Sequence, residues 1–333
     1  MPNNLNILIT GASGFLGKYV VSKALDKGHK VLAVSRSADK SLWSDHKQKS
    51  NLQVVKCDLL NQNSVVESLQ DIDVVIHLAA SKTGDWQTQF TGTVKTTENL
   101  LTAMASVGVK RLITVSSFSV FDYFNIPTGE TIDENSLLES EPKRRDAYAQ
   151  MKLQQEKQFQ EFQLQQAGEV TVFRPGVIYG KDNLWNARLG INKGNTWVIV
   201  NSSALLPLIY VENCADAIVL AIESQASINQ TINLVDDDLP LQSNYVEKIL
   251  PYFDNQPKVF NISGSMMNAI VNLMWQTNQK LLQGKISLPN LFSPYSFSAR
   301  FKSLNYSNVF AKKTLNWQPQ YSLETALKRL KEI

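Results

Sequence analysis

The 333-residue chain is expected to fold as a doubly wound α/β protein, a Rossmann-type parallel sheet covered by helices on both faces, with a smaller C-terminal lobe. Three observations carry this expectation. Apolar runs alternate with helix-like stretches through the first half. The first run, Ile7-Leu8-Ile9-Thr10, leads into three glycines at spacing G-x-x-G-x-x-G (Gly11, Gly14 and Gly17). After Arg174-Pro175-Gly176 the alternation breaks and the patterning weakens.

Taken in order, residues 5–10 read as the first strand and 15–27 as a helix closed by Gly28, a residue suited to the left-handed end of a helix. Strands follow at 30–35 and 52–57, a short helix at 63–69 and a fourth strand at 73–77. A long helix at 91–107 is closed by Gly108, a strand follows at 110–116, and a helix at 147–167 is closed by Gly168. Strands at 170–173 and 231–234 complete the sheet, with a helix at 211–223 between them. Residues 181–205 read as loop with short elements, and 237–305 as irregular apart from an amphipathic segment at 266–283. A polar-faced helix at 321–330 ends the chain. The division expected is 1–180 with about 206–235 as the dinucleotide-binding domain, and 181–205 with 236–333 as a substrate lobe.

A chain of this length buries a sizeable core. The net charge of +3, without a dense Lys/Arg block, gives no case for a nucleic-acid partner. No run of 18 apolar residues is present, so no transmembrane helix is expected. The N-terminus enters a strand with no basic-plus-apolar leader. Cys57 and Cys214 fall on expected core elements, which suits buried, reduced thiols in a cytoplasmic protein. No metal site is expected.

The glycine run has a specific chemistry. Gly11 turns the chain off the strand, Gly14 removes a side chain where a pyrophosphate approaches the backbone, and Gly17 lets the helix lie close to the strand. The helix N-terminus then faces the phosphates with free N–H groups and its dipole. At the end of the second strand, where an acidic residue would accept from the ribose of NAD, stands Ser35-Arg36-Ser37. An arginine pairs with a 2′-phosphate, so NADP(H) is expected over NAD(H), with Lys40 a further candidate for that phosphate. Asp58 either accepts from the adenine amino group or caps the next helix. Leu78, Ala79 and Ala80 are small or apolar where the cofactor passes, and His77 reads as a buried hydrogen-bonded residue rather than a catalyst.

Tyr148 and Lys152 stand one helical turn apart on the same face. A phenol with a pKa of about 10 is a poor base at neutral pH, and a neighbouring ammonium is expected to stabilise its anion. Lys152 is also expected to hold the nicotinamide ribose. Ser116, Ser117 and Ser119 lie at the C-terminal end of the fifth strand, where a hydroxyl polarises a substrate carbonyl.

With these residues in place, the chain resembles the extended short-chain dehydrogenase/reductase family. Thr93-Val94-Lys95-Thr96-Thr97-Glu98-Asn99-Leu100-Leu101 resembles the family's N-V-x-G-T-x-N-L-L helix, and Arg174 to Gly180 its R-P-x-x-x-Y-G turn. Residues 208–217 resemble its V-x-D-x-A-D-A helix start, and 315–324 its C-terminal L-G-W-x-P segment. The resemblance implies Ser117, Tyr148 and Lys152 as a catalytic triad, Ser117 being chosen for its position three residues before Val120, with Asn99 ordering a water relay. It implies cofactor contacts from Gly11, Ser13, Gly14, Phe15, Leu16, Gly17, Ser35, Arg36, Asp58, Leu59, Leu78, Ala79, Ala80, Tyr148, Lys152, Pro175 and Val177. It also implies a homodimer through helices 91–107 and 147–167. Thr93, Thr96 and Asp122 depart from the family's Asn, Gly and Gly.

Within the family, Phe118-Ser119 stands where dehydratases of nucleotide sugars carry Asp-Glu, which argues against elimination chemistry. The stripe Met266, Met267, Ile270, Leu273, Met274, Leu281 and Leu282, followed by Gly284-Lys285-Ile286-Ser287-Leu288-Pro289, resembles the branch of 3β-hydroxysteroid dehydrogenases and dihydroflavonol reductases. The stripe itself reads as core packing ahead of a substrate wall, and its uncharged polar face is a poor match to a basic helix lying on a membrane. The expected function is an NADP(H)-dependent oxidoreductase acting on a keto or hydroxyl group of a bulky, apolar small molecule. Two alternatives stand: a nucleotide-sugar epimerase or reductase of polysaccharide synthesis, and a regulator that binds NADP(H) without turnover.

Overall fold

The computed structural model describes residues 4–331 apart from 37, 38, 40, 282, 284 and 286–288. Lys40, Ser37 and Leu282, along with much of the segment after it, therefore lie outside the described residues. The first half runs β1 (Asn6–Thr10), α1 (Phe15–Asp26), β2 (Lys30–Ser35), β3 (Leu52–Lys56), α2 (Gln62–Ser68) and β4 (Val74–His77). It continues with α3 (Trp86–Gln89), a π-helical stretch (Phe90–Lys95), α4 (Thr96–Val107), β5 (Arg111–Val115), β6 (Thr131–Ile132), α5 (Ala147–Gln166) and β7 (Glu169–Pro175). The second half has β8 (Val177–Tyr179), β9 (Gly190–Lys193), β10 (Thr196–Val200), β11 (Leu208–Tyr210), α6 (Val211–Leu220), β12 (Thr231–Leu234) and α7 (Gln242–Ile249). It ends with β13 (Lys258–Ile262), α8 (Gly264–Lys280), α9 (Pro294–Phe301), β14 (Asn305–Tyr306), α10 (Val309–Leu315) and α11 (Leu323–Arg329).

The expected doubly wound sheet is present. Seven strands lie in the order β12-β7-β5-β4-β1-β2-β3, and every neighbouring pair is parallel. Alternation along the strands sorts side chains to two faces. Ile7 and Ile9 pack with α1, α6 and α10 on one face, while Leu8 packs with α2, α4 and α5 on the other. Ala311, Leu315 and Trp317 belong to the first of these cores, so the cover of the sheet draws on the chain's last fifty residues as well as its first half. All seven strands end at one edge, and the strand order reverses between β4 and β1, the place where such sheets take ligands.

Helix ends follow local rules with one exception. Gly28 and Gly108 have φ of +86° and +81°, as expected for residues that close helices. At the end of α5, however, Ala167 takes the left-handed conformation (φ +50°), and Gly168 instead lets the Phe162 ring lie against its backbone. The expected helix at 91–107 begins as the π-helical stretch. Thr96, standing at the family's glycine, sends its hydroxyl back to the carbonyls of Gly92 and Thr93 (both 3.1 Å).

The irregular reading of 237–305 needs correction, while the short elements expected within 181–205 are β9 and β10. These segments hold a second sheet, β13-β10-β9, in which β9 and β10 form a hairpin about Gly194 (φ +59°). They also hold α7 and α9. The strands are short and alternate weakly, so Trp197 and Ile199 are buried while the hydrophobic signal is faint. The apolar stripe of α8 needs a second correction. Met267 and Val271 are buried, but Met266, Ile270, Leu273 and Met274 face outward.

Arg174 on β7 joins α5 to the sheet. Its guanidinium grips the Glu156 carboxylate with both arms, at 2.9 and 2.6 Å, and both side chains are largely buried. Removing only the arginine leaves a buried unpaired carboxylate. Arg174→Met is expected to lower unfolding free energy by about 3–5 kcal/mol in urea melts, and adding Glu156→Leu is expected to recover most of that loss.

Candidate active site

The glycine turn occupies the end of β1. Gly11 has φ +67°, and a side chain there would meet the Ala79 backbone nitrogen at 2.8 Å. Gly17 faces the carbonyls of Gly11 and Ala12, so any side chain would push α1 off β1. Gly14 caps α1 with no side-chain hydrogen bond and is itself exposed. An uncapped 12-residue helix on a bare glycine cradle fits a dinucleotide pyrophosphate. Ser13, Phe15 and Leu16 flank the cradle, half-buried.

The other expected cofactor contacts spread along the same edge. Ser35 is buried and Arg36 exposed at the end of β2. Asp58 accepts from Leu60 N (3.0 Å), while Asn61 caps α2 by accepting from Ser64 N (3.2 Å), so the helix-cap reading of Asp58 does not apply. Leu59 is buried after β3, and Leu78, Ala79 and Ala80 follow β4, half-buried. Pro175 ends β7 and Val177 begins β8.

Three expected reactive groups converge at the ends of β5 and α5. Ser117 caps the short turn Phe118–Val120, accepting from Ser119 N at 3.1 Å. The Tyr148 phenol lies beside it, and the Ser117 hydroxyl favours the phenolate. The hydroxyls of Ser116 and Ser119 are buried with no partner among the described residues, so geometry selects Ser117 from the three. Lys152 Nζ donates to the Val115 carbonyl and to Gln155 Oε1, both at 2.8 Å. Asn99 does not join this group, because its amide donates to the Leu59 carbonyl at 3.0 Å.

The electrostatics differ from the sequence-based expectation. Burial pushes the Tyr148 phenol up to about 12; the Ser117 hydroxyl favours the anion and the Asp146 carboxylate opposes it. Burial also pushes Lys152 down to about 7; Lys82 adds to that and Glu156 opposes it. The ammonium is held by a carbonyl and an amide rather than turned onto the phenol. The phenol is therefore protonated at neutral pH, the state of a proton donor.

Behind Lys152 runs a buried chain of polar side chains. Gln155 Nε2 donates to Thr97 Oγ1 (2.8 Å), and Thr97 donates its one proton to the Thr93 carbonyl (2.6 Å). Thr97 Oγ1 must then also accept from His77 Nε2 (2.9 Å), which puts the imidazole proton on Nε2. His77 Nδ1 accepts from Thr10 Oγ1 (2.7 Å), and Thr10 accepts from Ala79 N (3.3 Å). The glycine edge and the lysine thus share one hydrogen-bonded line. His77 is a buried hydrogen-bonded residue, as its sequence position suggested. Gln155 and Thr97 were not foreseen. Only the i, i+3 spacing from Lys152 marks Gln155 among its many neighbouring glutamines.

A tyrosine, a serine and a lysine gathered beside a glycine turn at the sheet edge suit a class, the nicotinamide-dependent oxidoreductases built on the extended short-chain fold. A model of the NAD dependent epimerase/dehydratase family matches residues 7–234, and the chain belongs to that family. It is similar to a dTDP-6-deoxy-L-talose 4-dehydrogenase (NAD(+)) of Aggregatibacter actinomycetemcomitans, 32% identical over 40% of this chain and 47% of that protein, less than half its length. A 2-alkyl-3-oxoalkanoate reductase of Shewanella oneidensis is 25% identical over 97% of this chain and 84% of its own. A 3 beta-hydroxysteroid dehydrogenase/Delta 5-->4-isomerase of Mycobacterium tuberculosis is 26% identical over 96% and 88%. Among solved structures, UDP-glucuronic acid 4-epimerase from Bacillus cereus in complex with NAD shares the fold, with TM-score 0.72 and 18% identity over 98% and 99% of the two chains.

The buried imidazole makes a pH prediction. Burial, reinforced by the Lys152 charge, pulls His77 down to about 3 from its ordinary 6.5. The unfolded chain therefore binds a proton between these values that the folded chain refuses, and stability falls as pH drops below 6.5. His77 is expected to contribute a loss of about 2 kcal/mol between pH 7 and pH 5. His77→Asn should flatten that part of the slope in urea melts across the interval.

Proposed function

We propose that the protein is an NADP(H)-dependent oxidoreductase that interconverts a keto and a hydroxyl group on a bulky, largely apolar small molecule. The observation that carries this reading is the convergence of Ser117, at the end of β5, with Tyr148, and of Lys152 one helical turn along α5, tied to the Val115 carbonyl. The cofactor, when bound, supplies or accepts the hydride. The glycine cradle and the α1 N-terminus would hold its pyrophosphate, and Arg36 a 2′-phosphate. Tyr148 holds a proton at its phenol oxygen and passes it to the substrate oxygen. Ser117 orients the phenol and donates to the same substrate oxygen, which polarises the carbonyl. Lys152, anchored through Gln155 and Val115, fixes the turn of α5 that carries the phenol and contacts the ribose. Asn99, held to Leu59, steadies the cofactor edge rather than the proton path.

A phenol kept protonated by burial favours the reductive direction. By their names, two relatives act on 2-alkyl-3-oxoalkanoates and on 3β-hydroxysteroids, and both support an apolar substrate. The runner-up, a nucleotide-sugar epimerase, draws on the family model and on the talose dehydrogenase relative. Dimerisation through α4 and α5 is part of the proposal. These helices leave a groove between them that includes Phe90, Leu101 and Phe162.

Fluorescence titration is expected to give tighter binding of NADPH than of NADH. Arg36→Ala should weaken NADPH by about tenfold or more and leave NADH nearly unchanged. Tyr148→Phe should bind NADPH normally while kcat on hydrophobic ketones falls by about 10²–10⁴-fold. Tighter NADH binding would overturn the phosphate reading, and turnover of a UDP- or dTDP-sugar without added cofactor would overturn the reductase reading.

A further inference from the structure

Helix α8 stands on the surface with its apolar residues on two adjoining sectors. Met267 and Val271 are buried against Val200, Phe297 and Phe301. Met266 (52% exposed), Ile270 (41%), Leu273 (68%) and Met274 (36%), with Leu281 (76%) just past the helix end, face outward. At 100° per residue these five fall within an arc of about 100°, so they form one stripe and not scattered side chains. Phe260, 56% exposed on the strand that leads into α8, is apolar and outward as well. A contiguous exposed apolar face of this kind marks a contact surface.

The charge around this face selects its occupant. Residues 255–323 contain no Asp or Glu, and of their seven Lys or Arg, Lys312 is paired with Asp237 and Lys302 donates to the carbonyls of Tyr123 and Phe124, which leaves the lysines at the ends of β13 and α8 as the charges beside this face. Lys258 at the start of β13, Lys280 at the end of α8 and Lys285 beyond it are all exposed. On its far side, α8 meets α9 through Trp275 and Tyr295, and Arg144 lies over the Tyr295 ring. The carboxylate nearby on that turn, Glu141, is paired to Arg144 at 2.6 Å. A second copy docked about a two-fold axis on this face would meet the lysines with other residues of the same segment, and residues 255–323 offer no carboxylate to neutralise them. An anionic lipid surface accepts both features, the apolar stripe into the acyl boundary and the lysines among the headgroups; the polar face of α8 is uncharged, as its sequence indicated, and the attraction comes instead from the lysines at the ends of β13 and α8.

We infer that α8 docks the protein on an anionic membrane surface through Met266, Ile270, Leu273, Met274 and Leu281, flanked by Lys258 and Lys280. Trp275, on the side of α8 turned away from the stripe, and Tyr295 connect the helix to Phe124 in the loop after Ser117. The docking does not rest on the proposed function.

The test is flotation with vesicles of phosphatidylcholine and phosphatidylserine in equal parts, compared with phosphatidylcholine alone, alongside sedimentation velocity. The full chain should float with the anionic vesicles, and binding should fall as salt rises from about 0.1 M to about 0.5 M. The double variant Ile270→Glu/Leu273→Glu alters two exposed side chains and should melt like the parent. It should lose vesicle binding by about tenfold or more. Lys258→Gln and Lys280→Gln should each weaken binding by about fivefold. Tyr148→Phe should float like the parent, which separates docking from catalysis. No flotation with anionic vesicles overturns the proposal, as does flotation unchanged in the double variant. A parent dimer that the double variant dissociates, with no vesicle binding, overturns it in favour of a second copy.

Discussion

The Lys152 ammonium, held between the Val115 carbonyl and the Gln155 amide, is the contact on which the site geometry depends. It ties the start of α5 to the end of β5, and therefore sets Tyr148 against Ser117. The same ammonium begins the line through Gln155, Thr97, His77 and Thr10 to the backbone beside the glycine turn. The links from Lys152 through Gln155, Thr97 and His77 to Thr10 are buried, so each unmade bond there would leave a polar atom without water to replace its partner. The glycine turn and the Tyr148 phenol are in consequence one rigid unit, although they come from opposite ends of the domain sequence.

This arrangement explains why the phenol and the ammonium have unusual proton affinities in the same direction of charge. Burial disfavours the ionised form of both, raising Tyr148 and lowering Lys152. A lysine aimed at the phenol would have drawn the tyrosine down. Its engagement with a carbonyl and an amide makes it a fastening, and leaves the tyrosine as an acid. The bidentate Arg174–Glu156 pair, one turn further along the same face of α5, braces the helix against β7.

The sheet could be read from the sequence because its strands are buried on both faces and bounded by glycine turns, so Ile7-Leu8-Ile9 carries a strong local signal. Gly11, Gly17, Tyr148 and Lys152 were readable for a similar reason, since their chemistry is local to a turn or a helical repeat. What escaped depends on distant partners. Gln155 gains its role from Thr97, 58 residues away, and nothing in a glutamine-rich helix announces that. The hairpin β9–β10 and strand β13 meet across more than sixty residues, and their alternation is too short to stand above the background. The outward stripe of α8 has the same period as a buried one; only the packing of its neighbours decides which side of the helix the core takes.

The loop that follows Ser117 does not belong to the sheet domain alone. Lys302 reaches back to donate to the carbonyls of Tyr123 and Phe124, and β14 pairs in parallel with β6. Arg188 meets the Tyr123 hydroxyl at 2.6 Å from yet another segment. Substrate range in this scaffold is therefore not a cassette that can be exchanged by grafting the chain beyond Pro175. A chimera that keeps the parental 118–132 loop under a foreign lobe breaks every one of these ties, so the two segments must be inherited, or engineered, together.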